Sequence, residues 1–169
     1  MNRKVSLPPD VVLRPYEDSD RDAVVALRAL AFSVLAANAY SREQLAASRA
    51  HAETPAFAGE LRQINLMLAV DRGDAVLGAA GWSTHEGEPE TARIRKVFVH
   101  PQSARKGLGT ALVLDAERRA EGAGHARFAV RASVNAVSFY RRLGYRSVES
   151  QSVSRPGDVG LPVMLMRKP

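Results

Sequence analysis

The stretch Val97–Val113, VFVHPQSARKGLGTALV, decides how the rest of the chain is read. It opens with a β-type apolar run, and the strand Arg93–Val99 should end before Pro101, which cannot donate a ladder hydrogen bond. It closes in an amphipathic helix, in which Leu108, Leu112, Ala116 and Ala120 recur every four positions. Between the two lie Arg105, Lys106, Gly107 and Gly109. The first amides of a helix have no intrahelical acceptor and sit at the positive end of its dipole. Glycine lets a bulky anion reach that backbone. The loop chemistry therefore suggests pyrophosphate binding. The pattern is not a P-loop, because Lys106 precedes the glycines and no GK[ST] follows. Nor is it GxGxxG, because Leu112 stands in the third place. Taken alone, the stretch reads equally well as a tight turn before a helix.

Working outward, Asp10–Tyr16 reads as a first strand and Glu17–Ala37 as a helix, capped by Asp18, Ser19 or Asp20, with Val24, Leu27, Ala31, Val34 and Leu35 as its apolar stripe. A second helix starts at Ser41, with Gln44 at capping-box spacing, and a short third begins near Pro55. Ile64–Val70, Ala75–His85 and Thr91–Val99 read as an antiparallel meander, with Glu86–Glu90 as a polar connection. After the central helix come a strand at His125–Ser133 and a short helix stopped by Gly144. Closing strands follow at Tyr145–Val153 and Leu161–Arg167. The order β-α-α-β-β-β-α-β-α-β-β defines an α+β, mixed-sheet class.

The bulk numbers bound the function. A chain of 169 residues fits one domain, 1–169, and buries a sizeable core. With 46% hydrophobic and 25% charged residues the composition is globular. No apolar run reaches the length of a membrane span, and the first ten residues lack the apolar core of a signal peptide, so a cytoplasmic protein without membrane contact is expected. The absence of cysteine excludes disulfides, Cys-based zinc sites and a thiol nucleophile. His51, His85, His100 and His125 are too far apart for a local metal site, so no metal is expected. A formal charge of +6 favours anionic partners, but the basic residues are scattered, which argues against nucleic acid.

Two separated motifs carry a resemblance. VHPQSARKGLGTAL is similar to the first signature of the GCN5-related N-acetyltransferase (GNAT) superfamily, a strand ending in V-x-P, then [QR]-x-x-G-x-[GA], then a helix. SVNAVSFYRRLGY, Ser133–Tyr145, resembles the second, a short helix ending in Y-x-x-x-G-[FY]. The resemblance covers about residues 10–166. It departs at Ala104, which stands where [QR] is usual, with Arg105 one place later. It departs again at Ser133, which stands where Asn is usual, with Asn135 two places on.

The resemblance implies a GNAT-like acyl-CoA N-acyltransferase fold, a central, mostly antiparallel mixed sheet flanked by helices. It implies transfer of an acetyl group from acetyl-CoA to a primary amine on a small molecule or peptide, by direct attack. Val97, Phe98 and Val99 would pair with the pantetheine arm through their backbone. Arg105, Lys106, Gly107, Leu108, Gly109 and Thr110 would wrap the pyrophosphate, and either Ser133 or Asn135 would bond the arm. Tyr140 matches the general acid for the leaving thiolate, a role that a phenol of pKa about 10 can fill. Because neighbours on a helix point about 100° apart, Phe139 is expected in the core and Tyr140 toward the site. The strand Thr91–Val99 holds no acid, so no base is assigned and a water relay is the default. Arg93 and Arg95 share a strand face, which suggests an acceptor bearing a carboxylate. Tyr40, in the helix pair that shapes the acceptor site, is a candidate substrate contact. A homodimer stays open, as does the alternative of an acyl-CoA sensor without turnover.

Overall fold

The computed structural model describes residues 6–169; the first half of the stretch read for a signal peptide, residues 1–5, lies outside them. The described strands are β1 (Val12–Pro15), β2 (Asn65–Val70), β3 (Val76–His85), β4 (Glu88–Val99), β5 (Arg127–Ser133), β6 (Arg146–Arg155) and β7 (Val159–Lys168). They form one sheet in the order β1-β2-β3-β4-β5-β7-β6. The helices are α1 (Arg21–Leu35), α2 (Arg42–Ala52), α3 (Pro55–Gln63), α4 (Leu108–Gly122) and α5 (Val137–Arg142). Every strand pair is antiparallel except β4–β5. Parallel strands need a crossover, and α4 supplies it.

That parallel pair positions the cleft. It is zipped only from Thr91 to Ile94, opposite Arg127 to Val130. Beyond Ile94 the two strands part, so the β5-facing edge of β4 has no strand partner. The other edge stays on β3, with Gly81 opposite Arg95 and Ala79 opposite Phe98. One residue of β3, Ala80, thus faces two of β4, Lys96 and Val97, a bulge in which Lys96 has a left-handed φ of 56°.

The sheet is packed on both faces. On one, Leu108, Leu112, Val113, Ala116 and Ala120 of α4 lie against Ile94, Phe128 and Val130. On the other, Val24 and Leu27 of α1 and Phe57 and Leu61 of α3 cover Leu66, Leu68 and Val70. Burying each such leucine contributes about 2 kcal/mol. The predicted α4 stripe is buried throughout.

The predicted α1 stripe holds only as far as Ala31: Val34 and Leu35 are 53% and 42% exposed. The position that completes the buried stripe is a cation, Arg28. Asp18–Asp20 form a 3-10 turn before α1, and Glu88–Glu90 belong to β4 rather than to a connection. The capping box at α2 is present, with Gln44 N donating to Ser41 Oγ at 3.1 Å and Ser41 N donating to Gln44 Oε1 at 2.9 Å. Pro55 occupies the first turn of α3, and Gly144 ends α5 with a φ of 96°.

Candidate active site

Where β4 and β5 separate, a cavity of about 980 Å³ opens. One end is built from backbone. The chain leaves β4, makes a 3-10 turn at Pro101–Ser103 and enters α4 through Arg105 and Gly107, both left-handed with φ of 60° and 86°. A side chain at Gly107 would meet no atom, so glycine is needed there for its dihedral, not for space. The first helical bond is Ala111 N to Gly107 O at 3.0 Å. The amides of Arg105 to Thr110 have no backbone acceptor among the described residues. These six consecutive donors lie at the positive end of a 15-residue helix.

Val97, Phe98 and Val99 line the cavity from the free edge of β4, and Arg105, Gly107, Gly109 and Thr110 line it from the loop. Ser133 and Asn135 both line it, and the Asn135 amide donates to Leu35 O at 3.3 Å. Two expected loop contacts are corrected. Leu108 is 1% exposed, because it starts the buried stripe of α4, and its side chain lies in the core instead of the cavity. Lys106 is exposed and is not among the residues that line the cavity. Both residues can contribute through their amides.

The expected division between Phe139 and Tyr140 is also corrected. Tyr140 is the buried one, at 4% exposure, and Phe139 is half-buried. Both line the cavity. Phe139 and Val99 both flank Gly109, and Phe139 meets Tyr140 edge-on at 5.0 Å. The cavity floor is the top of the core, so burial and facing the site are the same thing for Tyr140. Its other side is held edge-on by Tyr145 at 5.4 Å. Tyr145 donates to Glu117 at 2.8 Å, and Lys168 donates to the same carboxylate at 2.7 Å. Burial, and then the Glu117 charge, hold the Tyr140 phenol above its ordinary pKa, so it keeps its proton across the physiological range.

The opposite end is built from side chains. Glu60 of α3 accepts from Arg95 at 3.0 Å and from Lys96, whose bulge turns it to the same side. His51 of α2 lies 3.8 Å from Glu60. Arg28 is 5% exposed and donates to Ser48 O at 2.6 Å and Ser48 Oγ at 2.9 Å, with its guanidinium over the rings of Phe32, Phe57 and Phe98. Arg93 and Arg155 complete this end.

Burial decides the proton affinities here. It lowers His51 to about 4, reinforced by Arg155 and Arg28 and opposed by Glu60. It lowers Lys96 to about 8 against the pull of Glu60, and Arg28 and Arg93 to about 10. Burial pushes the Glu60 carboxyl up, but the hydrogen bond and charge of Lys96, with Arg95, outweigh it and hold Glu60 below the usual range. At neutral pH this end therefore holds an ionised carboxylate, a neutral imidazole and several cations.

Of the predicted acceptor residues, Arg93 and Arg95 both line the cavity. Tyr40 does not. It is 6% exposed, donates to Pro162 O at 2.7 Å, accepts from Val134 N at 2.9 Å and stacks on Phe32 at 5.5 Å. Its hydroxyl is used in fastening the α1–α2 connection to β7 and to the turn Val134–Ala136 before α5, which leaves it no face for substrate. Glu60, His51, Arg28, Lys96 and Arg155 were missed. For Arg28 a signal exists, a cation on an apolar stripe beside Leu27, and Glu60 stands at i+3 from the buried Phe57.

A mixed sheet parted beside a crossover helix, with free amides at the parting, defines the class of acyl-CoA N-acyltransferase folds. The sequence profile described as the acetyltransferase (GNAT) domain matches residues 36–168, and the chain belongs to that family. It is 33% identical over 150 residues to a mycothiol acetyltransferase of Pseudarthrobacter chlorophenolicus, covering 84% of this chain but only 44% of that longer protein. It is 26% identical over 129 residues to the uncharacterised N-acetyltransferase YjcF of Bacillus subtilis, covering 76% and 88% of the two chains. Among solved structures, a GCN5-related N-acetyltransferase from Rhodopseudomonas palustris superposes with a TM-score of 0.84 at 28% identity, over 96% of this chain and 98% of that one. The PaiA N-acetyltransferase of Thermoplasma acidophilum, solved with coenzyme A, superposes at 0.75 with 17% identity, over 94% and 98%. No helix among the described residues is long and apolar enough to cross a membrane.

Proposed function

We propose that the protein transfers an acetyl group from acetyl-CoA to a primary amine. The observation that carries this reading is one juxtaposition. A run of six amides without backbone acceptors stands at one end of a cavity whose floor holds a protonated phenol. A pyrophosphate fits the amides of Arg105–Thr110, with Arg105 adding charge. The free edge of β4 at Val97–Val99 matches a pantetheine arm running antiparallel or parallel to a strand, with Ser133 and Asn135 on the facing wall. The fold relative solved with coenzyme A supports this use of the cleft.

Bound there, acetyl-CoA supplies an activated acyl group and a thiolate leaving group. The acceptor amine attacks directly as a free base. Tyr140 Oη gives its proton to the departing sulfur, and Phe139 and Val99 exclude water from that side. The amine proton leaves through water; His51, neutral at pH 7, and Glu60 are the groups in the cavity that can relay it. The test is release of free thiol from acetyl-CoA across a broad amine library, alongside calorimetric binding of acetyl-CoA. Turnover of at least one amine, abolished or strongly slowed in Tyr140→Phe with binding retained, is expected. Tight binding with no thiol release from any amine overturns transfer and leaves a sensor.

A further inference from the structure

Eight cavity-lining residues are Arg or Lys and one, Glu60, is an acid. That imbalance cannot be assigned wholly to the donor, because much of it lies at the end away from the amide loop. The partners at that end can be accounted for. Glu60 is taken by Arg95 and Lys96. Arg28 is satisfied by Ser48 and three aromatic faces. Of the five cations left over, Arg105, Arg131 and Arg142 are exposed to solvent, and two, Arg93 and Arg155, are half-buried. Arg93 and Arg155 have no carboxylate partner among the described residues, and each buries an Nε–H that bonds nothing. Arg155 has only the carbonyl of Ser154, at 3.1 Å. They project from different strands, β4 and β6, yet both line the same cavity.

A half-buried guanidinium with a buried, unbonded Nε–H is costly, and its planar fork is matched by a carboxylate. The arrangement makes sense when the missing partner arrives with the substrate. We propose that the acceptor is an amine whose own carboxylate is bound by Arg93 and Arg155, as in an amino acid. This inference rests on the acetyl-transfer reading above. Glu60, screened by Arg95 and Lys96, then stands where the ammonium end of such a zwitterion can approach without meeting a bare cation.

The experiment compares kcat/KM for α- and ω-amino acids with their own carboxamides, in the same thiol-release assay on the full chain. The amine of a carboxamide is less basic and more of it is free at neutral pH, a bias against the proposal. Acids preferred over amides by at least about 10-fold are expected, because an amide leaves two cations unpaired. In Arg93→Gln and Arg155→Gln the acid-to-amide ratio should fall toward one. Calorimetric affinity for acetyl-CoA and the thermal midpoint serve as controls for folding, and removing an unpaired, half-buried cation should not lower the midpoint. Amides used as well as acids, or a preference that survives in both variants, overturns the proposal while transfer stands. No turnover of any amine overturns transfer and this inference together.

Discussion

The two ends of the cavity are made by opposite means. The donor end is backbone: a contiguous loop in which two residues take left-handed dihedrals and six amides are left without backbone acceptors. The acceptor end is side chains, drawn from α1, α2, α3, β4 and β6, held by charge balance. The first should tolerate loss of a side chain and suffer when its backbone is blocked. The second should behave the other way round. Tyr140 sits at the junction, and the largest expected effect belongs to it: Tyr140→Phe lowers kcat by about 100- to 1,000-fold and leaves acetyl-CoA affinity within a factor of two. Unchanged turnover refutes its role as acid.

Next comes a block at the donor backbone. At Gly109 an added Cβ meets Phe139 and Val99 at ordinary contact, 3.5 Å, so Gly109→Ala folds and costs little. Gly109→Asp uses the same space and puts an anion among the free amides, where it also favours the helix. Acetyl-CoA affinity should fall by about 100-fold, or about 2.7 kcal/mol, measured by calorimetry. Equal affinities for the two variants would break the picture of a backbone cradle.

The acceptor end should reveal itself in acid. Folding moves His51 from 6.5 to about 4, so between those values the unfolded chain binds more protons. Its contribution is therefore present above pH 6.5 and lost as the pH falls to about 4, on the order of 2–3 kcal/mol by urea denaturation. His51→Gln should flatten that stretch of the profile. Lys96 acts in the alkaline range: lowered from 10.5 to about 8, it makes stability rise between pH 8 and 10.5, an effect that Lys96→Gln removes. The smallest effect is at the donor end, where Arg105→Gln should weaken acetyl-CoA by only about 3- to 10-fold, since the amides remain.

The same contrast explains what could be read from the sequence. The donor end lies on one stretch, and the loop, the β4 edge and Tyr140, to which ARKGLG and FYRRLGY point, all line one cavity. The meander, the α4 stripe and the capping box are local patterns as well. Failures came where an environment is assembled from distant parts. Nothing around Tyr40 shows that Pro162 and Val134 will occupy its hydroxyl. No spacing brings Glu60 to Lys96, because a strand bulge decides which way Lys96 points. The Phe139–Tyr140 exchange had another cause: helical geometry gives relative directions, and the depth of the floor sets which ring is buried.

That one-residue bulge has a further meaning for how such a domain can change. Before it, Arg93 and Arg95 line one end of the cavity; after it, Val97–Val99 line the other with the free edge of β4. The extra residue works as a reading-frame joint within a single strand. On the proposed reading, side chains on its near side can be exchanged, and taste for a new acceptor acquired, without shifting the frame that would hold the coenzyme on its far side. A chain lacking the joint would have to renegotiate both at once.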